Sequence, residues 1–354
     1  MINMKQNIIK WLSMLPMALL LTGCYEDYVV DYKESAVSAA YQYDLRTFVV
    51  GEGMKFDFTV GLSGVIENKS DRKVKVVIDD ALVNGDLSGL AAEGKTVASF
   101  TAMQGMLGKA PFGSLSSSYV TDDVRAAGIS ALIPLPEAYY VKPATESMKI
   151  KSGRHTDAVT IKAVPEKILA DANAFKPYYA LGFRIESADA DVVPSERSYA
   201  VIAVRCENKF YGNWYHGGKT VTYNELTGDK ITEEVYPLTI PETNNSRLYV
   251  LSTVDGETVT TNRFANGKGS LTLHFNDDGK IDVTDATGAR EVEPLDGGSR
   301  FNGAKLLQDR KLYLHYKLNN GDGTVVFVRD TLVFRNRVRD GINEWQDENP
   351  ENYN

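Results

Sequence analysis

What most limits the folds open to this chain is a succession of short β-forming runs. In the first part they are Arg46–Val50, Lys55–Leu62, Lys73–Ile78, Ala158–Ala163, Tyr178–Ile185 and Ser198–Cys206. In the second they are Gly218–Tyr223, Glu234–Ile240, Arg247–Thr253, Thr258–Arg263, Ser270–Phe275, Lys280–Thr284, Lys311–Leu318 and Thr324–Arg335. The runs are rich in Val, Thr, Tyr and Ile and are bounded by Gly, Asn or Asp, which marks strands and their turns. Short strands at regular spacing predict an all-β chain built as sandwiches or barrels.

Helix signals are few. Pro165 near a first helical position and Glu166 in the first turn predict a short helix over 165–172. Asp122–Ala127 reads as a single turn. The stretch from Gly94 to Ser130 is poor in β formers and rich in Gly, Ala, Met and Ser, and it predicts a long connection.

The N-terminus reads as an export signal. Lys5 and Lys10 stand in a first segment without acids, and an apolar run from Trp11 to Leu21 follows. That run is shorter than the roughly 20 residues a membrane-spanning helix needs. It ends in Leu21-Thr22-Gly23-Cys24, which resembles the bacterial lipobox. The expectation is a signal over residues 1–23, an acylated Cys24 and a tether over 24–34. The alternative is a plain secretory signal with a chance Cys. The acidic pair Glu26-Asp27 resembles a surface-export signal of Bacteroidetes lipoproteins, which implies a place on the outer membrane, facing outward; a retained inner-membrane lipoprotein is the alternative.

Without Lys5 and Lys10 the net charge moves from −8 to −10. An acidic chain repels phosphate backbones, so nucleic acid is excluded as an expected partner. Membrane attachment then rests on the acyl chains, each buried CH₂ adding about 0.8 kcal/mol. With Cys24 lipidated, Cys206 has no intrachain partner. It lies in the apolar run Ala200–Cys206 and reads as an inert core thiol.

The residues after Glu207-Asn208-Lys209 open an aromatic cluster, Phe210-Tyr211-Gly212-Asn213-Trp214-Tyr215, and suggest a domain boundary. The division is 35–207, 208–340 and a polar tail over 341–354. The first part carries Phe48-Val49-Val50-Gly51-Glu52-Gly53, Leu135-Pro136-Glu137-Ala138-Tyr139-Tyr140, Lys151-Ser152-Gly153-Arg154 and Pro177-Tyr178-Tyr179-Ala180-Leu181. In these it resembles the immunoglobulin-like N-terminal domain of Bacteroides surface lipoproteins of unknown function. The second part resembles their lipocalin-like (calycin-type) barrel, through Gly212-Asn213-Trp214 and the hairpin turn Asn276-Asp277-Asp278-Gly279. The resemblance implies a β-sandwich followed by an antiparallel barrel. It also implies a setting beside outer-membrane nutrient importers that take up glycans.

A catalytic constellation is absent from the sequence. The four histidines, His155, His216, His274 and His315, have no metal-ligand spacing, so no metal and no cofactor are expected. No Gly-x-Ser-x-Gly elbow occurs. Adjacent acids such as Asp79-Asp80 or Glu233-Glu234 point to opposite faces of a strand and cannot share a cleft. Asp277-Asp278 reads as hairpin chemistry. Sugar binding needs flat aromatic rings beside amides and acids, and Tyr211, Trp214, Tyr215 and Trp345 are the candidates. Trp214 has a competing place at the base of the barrel. The expected function is that of a non-enzymatic surface lipoprotein binding an extracellular glycan or assisting its uptake complex. The alternative is a structural or interaction subunit at the outer membrane.

Overall fold

A computed structural model describes residues 32–84, 86, 126–129, 132–265 and 267–347. The export signal, Cys24 and Glu26-Asp27 lie outside the described residues, as do 348–354 and the connection 94–130 apart from 126–129.

The first domain contains β1 (Ala36–Ala39), β2 (Tyr43–Val50), β3 (Lys55–Ser63), β4 (Arg72–Ile78), β5 (Ile133–Pro134), β6 (Tyr140–Val141), β7 (Met148–Ile150), β8 (Thr156–Ala163), β9 (Tyr179–Ala188) and β10 (Tyr199–Asn208). They form two sheets, in the orders β1-β3-β8-β6 and β2-β10-β9-β4-β7, with β5 beside β9. The pair β2–β10 runs parallel, Val201 opposite Tyr43 through Asn208 opposite Val50. Alternation decides which face turns inward. In β3, Phe56, Phe58, Val60 and Leu62 are buried while Lys55 and Asp57 are exposed. Phe58 stacks on Phe183 across the sandwich, ring centroids 4.3 Å apart. Cys206 belongs to this core at 1% exposure. Burial, with the Asp171 charge, pushes its thiol up to about 12, which keeps it protonated and inert.

The second domain contains β11 (Gly212–Asn224), β12 (Lys230–Tyr236), β13 (Tyr249–Thr253), β14 (Thr258–Thr261), β15 (Leu271–Phe275), β16 (Lys280–Asp285), β17 (Glu291–Pro294), β18 (Ser299–Phe301), β19 (Lys311–Asn319), β20 (Thr324–Arg339) and β21 (Ile342–Glu344). Eight of them close an antiparallel barrel, β11-β13-β14-β15-β16-β18-β19-β20, with β20 returning to β11. Strands β12, β17 and β21 attach to its wall. An eight-stranded barrel is just wide enough for side chains to fill. Here Trp214, Tyr249, Leu251, Leu273, Leu312, Leu314, Val328 and Leu332 fill it, each completely buried. The chain is therefore all-β, a sandwich followed by a closed barrel of lipocalin-like, sequential strand order. Among the described residues no helix is long and apolar enough to cross a membrane, which says nothing of strands.

Each of the fourteen runs singled out in the sequence contains or overlaps a strand. Three details differ. The run Glu234–Ile240 is a strand only to Tyr236, because Pro237 and Pro241 offer no N–H to a ladder, and the strand starts earlier, at Lys230. The helix expected over 165–172 closes after Ile168, and a 3₁₀ turn follows at Ala172–Phe175. The segment taken as a polar tail begins with β21, whose Ile342–Glu344 pair with Arg337–Arg339.

The domains meet at a buried ionic cluster. The β2–β3 turn, with Gly51 and Gly53 at φ +78° and +81°, carries Glu52 outward from the sandwich. Glu52 accepts from Arg310 at 2.7 Å and from Arg337 at 3.2 and 2.7 Å. The two guanidinium side chains are 2% and 1% exposed. Thr47 adds two hydrogen bonds to the Asp340 carboxylate, at 2.9 and 2.6 Å. The Asn208 amide donates to the carbonyls of Asp255 and Gly256 at 3.2 and 3.0 Å.

Candidate functional site

The junction that these contacts hold together leaves a cleft of about 530 Å³. Val50 and Gly51 line it from the sandwich; Lys209, Phe210, Gly256, Phe275, Asn276, Asp277, Phe301 and Asn302 are among the residues lining it from the barrel side. Its floor is aromatic. Phe210, at 1% exposure, stacks on Phe275 with ring centroids 3.8 Å apart and meets Phe301 edge-on at 4.9 Å. Phe275 ends β15 and Phe301 ends β18, so the barrel rim fixes both rings, and both stay partly exposed.

Lys209 stands over this floor. Its Nζ lies 5.2 Å from the Phe210 ring centre and 5.7 Å from that of Phe301. Its stem passes Gly51, where a Cβ would come within 3.3 Å of Lys209 Cδ. Burial pushes the ammonium below its ordinary value, and the Arg310 charge adds to this, while Glu52 and Asp277 oppose it. Among the described residues this half-buried cation has no carboxylate within ion-pair distance.

The β15–β16 hairpin supplies the rim. Gly279, at φ +81°, lets the Asn276–Gly279 turn close, and the Gly279 N–H donates to the Asn276 carbonyl at 3.0 Å. Asp278 is occupied by Lys280, 2.7 Å away. Asn302 is occupied too, donating to the Asp309 carbonyl at 2.8 Å and accepting from the Lys311 N–H at 3.0 Å. The Asp277 carboxylate is exposed and takes no hydrogen bond from another described residue. The cleft thus offers partly open ring edges and faces, one cation and one free carboxylate, a set suited to a hydroxylated ligand with an apolar face.

The residues expected to bind a ligand are placed elsewhere. Trp214 is 0% exposed, donates its indole N–H to the Phe210 carbonyl at 3.1 Å and packs edge-on against Phe334. It closes the barrel and cannot touch a ligand. Tyr215 faces the opposite side of β11, beneath the Arg335 guanidinium at 5.8 Å. Tyr211 is half-buried in the connection between the domains. Trp345 is 56% exposed just after β21. None of these four lines the cleft; it is formed instead by Lys209, Phe210, Phe275 and Phe301. The signal for it lies in Lys209-Phe210, which the sequence marks as a domain boundary, and in Asn276–Gly279, which it marks as a hairpin turn.

Among the described residues no group of three or more His, Cys, Asp or Glu is placed to hold a metal ion.

No protein-family model matches the sequence, and no curated protein matches it. Solved structures do. A crystal structure of a protein of unknown function from Bacteroides ovatus superposes with a TM-score of 0.58 at 17% identity, over 90% of this chain and 99% of the other. The likeness is one of fold, and it extends across both domains. A Bacteroides ovatus multidomain protein that includes DUF1735 aligns over 88% of this chain and 99% of its own at 13% identity, with a TM-score of 0.38.

Proposed function

We propose that the chain is a non-enzymatic, lipid-anchored protein of the outer cell surface that binds an extracellular glycan in the cleft between its domains. The observation that carries this reading is the pair of partly exposed rings Phe275 and Phe301, held in place by the buried Phe210, beside the Lys209 ammonium and with the free Asp277 carboxylate at the rim. A ring stacks on the C–H face of a sugar, while a cation and a carboxylate take its hydroxyls from either side. The anchor rests on the lipobox-like Leu21–Cys24, and the setting beside nutrient importers rests on the resemblance to Bacteroides surface lipoproteins.

The test is retardation of the full chain, in detergent, on affinity gels made with diverse polysaccharides. Retardation should appear with at least one polysaccharide, and Lys209→Ala and Phe301→Ala should each weaken it about tenfold, as anchor residues of a small interface do. Free migration through every gel would remove the glycan reading.

The alternative, an interaction subunit, draws on a different surface. Strand β12 lies at an open sheet edge with Ile231 and Val235 52% and 66% exposed, and Trp345 is exposed as well. A partner recovered from solubilised membranes that is lost in a Val235→Lys variant would favour it.

A further inference from the structure

The outer face of the barrel wall carries a second grouping of ring and amides, where β11, β20 and β21 lie side by side. The pair Asp340-Gly341 sets it up. Both residues have positive φ, +51° and +76°, the backbone of the tight two-residue hairpin that Asp-Gly favours. This turn places Arg337 opposite Glu344 and Val338 opposite Asn343. Extended by one step, the same register brings Trp345 level with Asn336. On its other side Asn336 lies opposite Asn213 of β11.

Alternation then sorts the side chains. Arg337, Arg339 and Glu344 turn to the domain junction, where they pair with one another and with Glu52. Asn336, Val338 and Asn343 turn the other way. Trp214 points into the barrel, so its neighbours Asn213 and Tyr215 point out as well. The Asn213 amide donates to Asn336 Oδ1 at 3.2 Å, and the Asn336 amide donates to Asn343 Oδ1 at 2.6 Å. This relay crosses three strands. Among the described residues it leaves Asn213 Oδ1 and Asn343 Nδ2 without a partner, one acceptor and one donor. Beside it Val338 and Trp345 are 53% and 56% exposed. Arg335, next to the relay, is already engaged by the Tyr215 ring at 5.8 Å and by Asn245 Oδ1 at 3.1 Å.

We propose that this face binds the side of an extended, uncharged polysaccharide, with Trp345 stacked on one sugar ring and the two ends of the amide relay bonded to its hydroxyls. Amides supply both the donor and the acceptor that a hydroxyl needs, and an indole left in water offers its flat face to the C–H side of a sugar. The strands stand about 4.8 Å apart, so the relay spans roughly the width of a sugar ring. A protein hot spot is anchored in a desolvated pocket, whereas this is a flat, wet row of amides. The face shares no residue with the cleft between the domains and takes the glycan reading beyond it.

Hydroxyethyl cellulose, glucomannan and galactomannan serve as probes, in affinity gels and in fluorescence titrations of the full chain in detergent. Among the described residues Trp345 is the exposed tryptophan and Trp214 is sealed in the barrel, so contact on this face is read from Trp345. At least one polymer should retard the chain and shift its emission. Trp345→Ala should abolish the shift and weaken retardation about tenfold, as loss of an aromatic anchor does. Trp345→Phe, which keeps a ring, should restore part of the retardation, and Asn343→Ala should weaken it by a smaller factor. Lys209→Ala should leave the emission shift in place. No retardation by any of the three polymers, an emission that does not move, or retardation indifferent to Trp345→Ala would each overturn the proposal. A protein captured through Trp345 while every gel lets the chain pass would make the face a docking surface and overturn it too. Retardation lost in Lys209→Ala but kept in Trp345→Ala would overturn it and spare the cleft, and the reverse result would spare this face and remove the cleft.

Discussion

Glu52 of the sandwich and Arg337 of the barrel are joined by two hydrogen bonds, of 3.2 and 2.7 Å, in a region where the guanidinium is 1% exposed. Arg310 shares the same carboxylate at 2.7 Å and also donates to the Lys209 carbonyl at 2.7 Å. Burial pushes the Glu52 carboxyl up, but Arg337 and Arg310 outweigh it and hold it below its ordinary value. Glu52→Gln leaves two buried guanidinium groups short of a counter-charge. Breaking a buried pair from one side costs about 3–5 kcal/mol. The expected result is a loss of about 3 kcal/mol in urea unfolding, because Glu344 still serves Arg337. A change below about 1 kcal/mol, the range of an exposed pair, would show that the cluster is solvated.

Gly218 and Gly61 should respond in opposite directions to the same substitution. A Cβ at Gly218 would lie 2.3 Å from Asp330 Oδ1 and 2.4 Å from the Arg329 carbonyl. The neighbouring strand is held on both sides and cannot retreat, so Gly218→Ala should cost about 1–3 kcal/mol as an overpacked site. A Cβ at Gly61, inside β3, meets nothing within 4 Å. Gly61→Ala should stabilise by about 0.5 kcal/mol by removing backbone freedom from the unfolded chain. Paired thermal melts decide the matter, and two equal shifts would contradict the packing described for β11 and β20.

These contrasts also show what the sequence could and could not convey. Long strands with alternation, such as Phe56, Phe58, Val60 and Leu62, announce both their conformation and their inner face. The strands that were missed, β1, β5, β6, β7, β17, β18 and β21, have four residues or fewer. A pattern of period two cannot be told from chance over so short a span. The cleft was hidden for another reason. Its residues come from five places in the chain: Val50-Gly51, Lys209-Phe210, Gly256-Glu257, Phe275–Gly279 and Phe301–Gly303. Only the closed barrel and the docked sandwich bring them together. Trp214 is open in the sequence to two places, a ligand ring or the base of the barrel, and its face of β11 points into the barrel. His216 gave no local signal of being buried; the pair Gly217-Gly218 beside it was the mark of a close approach.

Asp330 makes stability depend on pH. Burial pushes its carboxyl up to about 7, against the hydrogen bonds from Tyr236 and Tyr249. An acid with a raised folded value contributes stability that is complete below its unfolded value, near about 3.9, and is lost as pH rises through the folded one. Glu207, raised by burial to about 7 against the Arg205 charge, acts in the same direction. His216, lowered to about 4, acts in the opposite direction between about 4 and 6.5. Asp330→Asn removes the first contribution and leaves the other two. The urea midpoint of the unsubstituted protein should therefore fall relative to that of the variant between pH 5 and pH 8. A constant difference between the two across that window would mean that Asp330 is ionised throughout.

The C-terminal strap offers the last test, because two of its carboxylates reach back onto buried groups while its aromatic residue does not. Glu344 pairs with both Arg337 and Arg339. Asp347 accepts from the Leu307 N–H at 2.9 Å, and its own N–H donates to Gln308 at 2.9 Å. Trp345 lies between them, more than half exposed. A chain ending at Gly341 loses β21 and these carboxylates together. Charged hydrogen bonds contribute about 1.5–3 kcal/mol each when one partner is buried, so the truncated chain should unfold at clearly lower urea. Trp345→Ala should stay within about 0.5 kcal/mol of the unsubstituted protein, as an exposed site does. Glu344→Gln alone should recover most of the truncation's effect, since Arg337 is the buried member that it serves. If Trp345→Ala destabilises as much as the truncation, the strap is held by the indole rather than by its carboxylates, and the ionic account of the domain junction loses its C-terminal half.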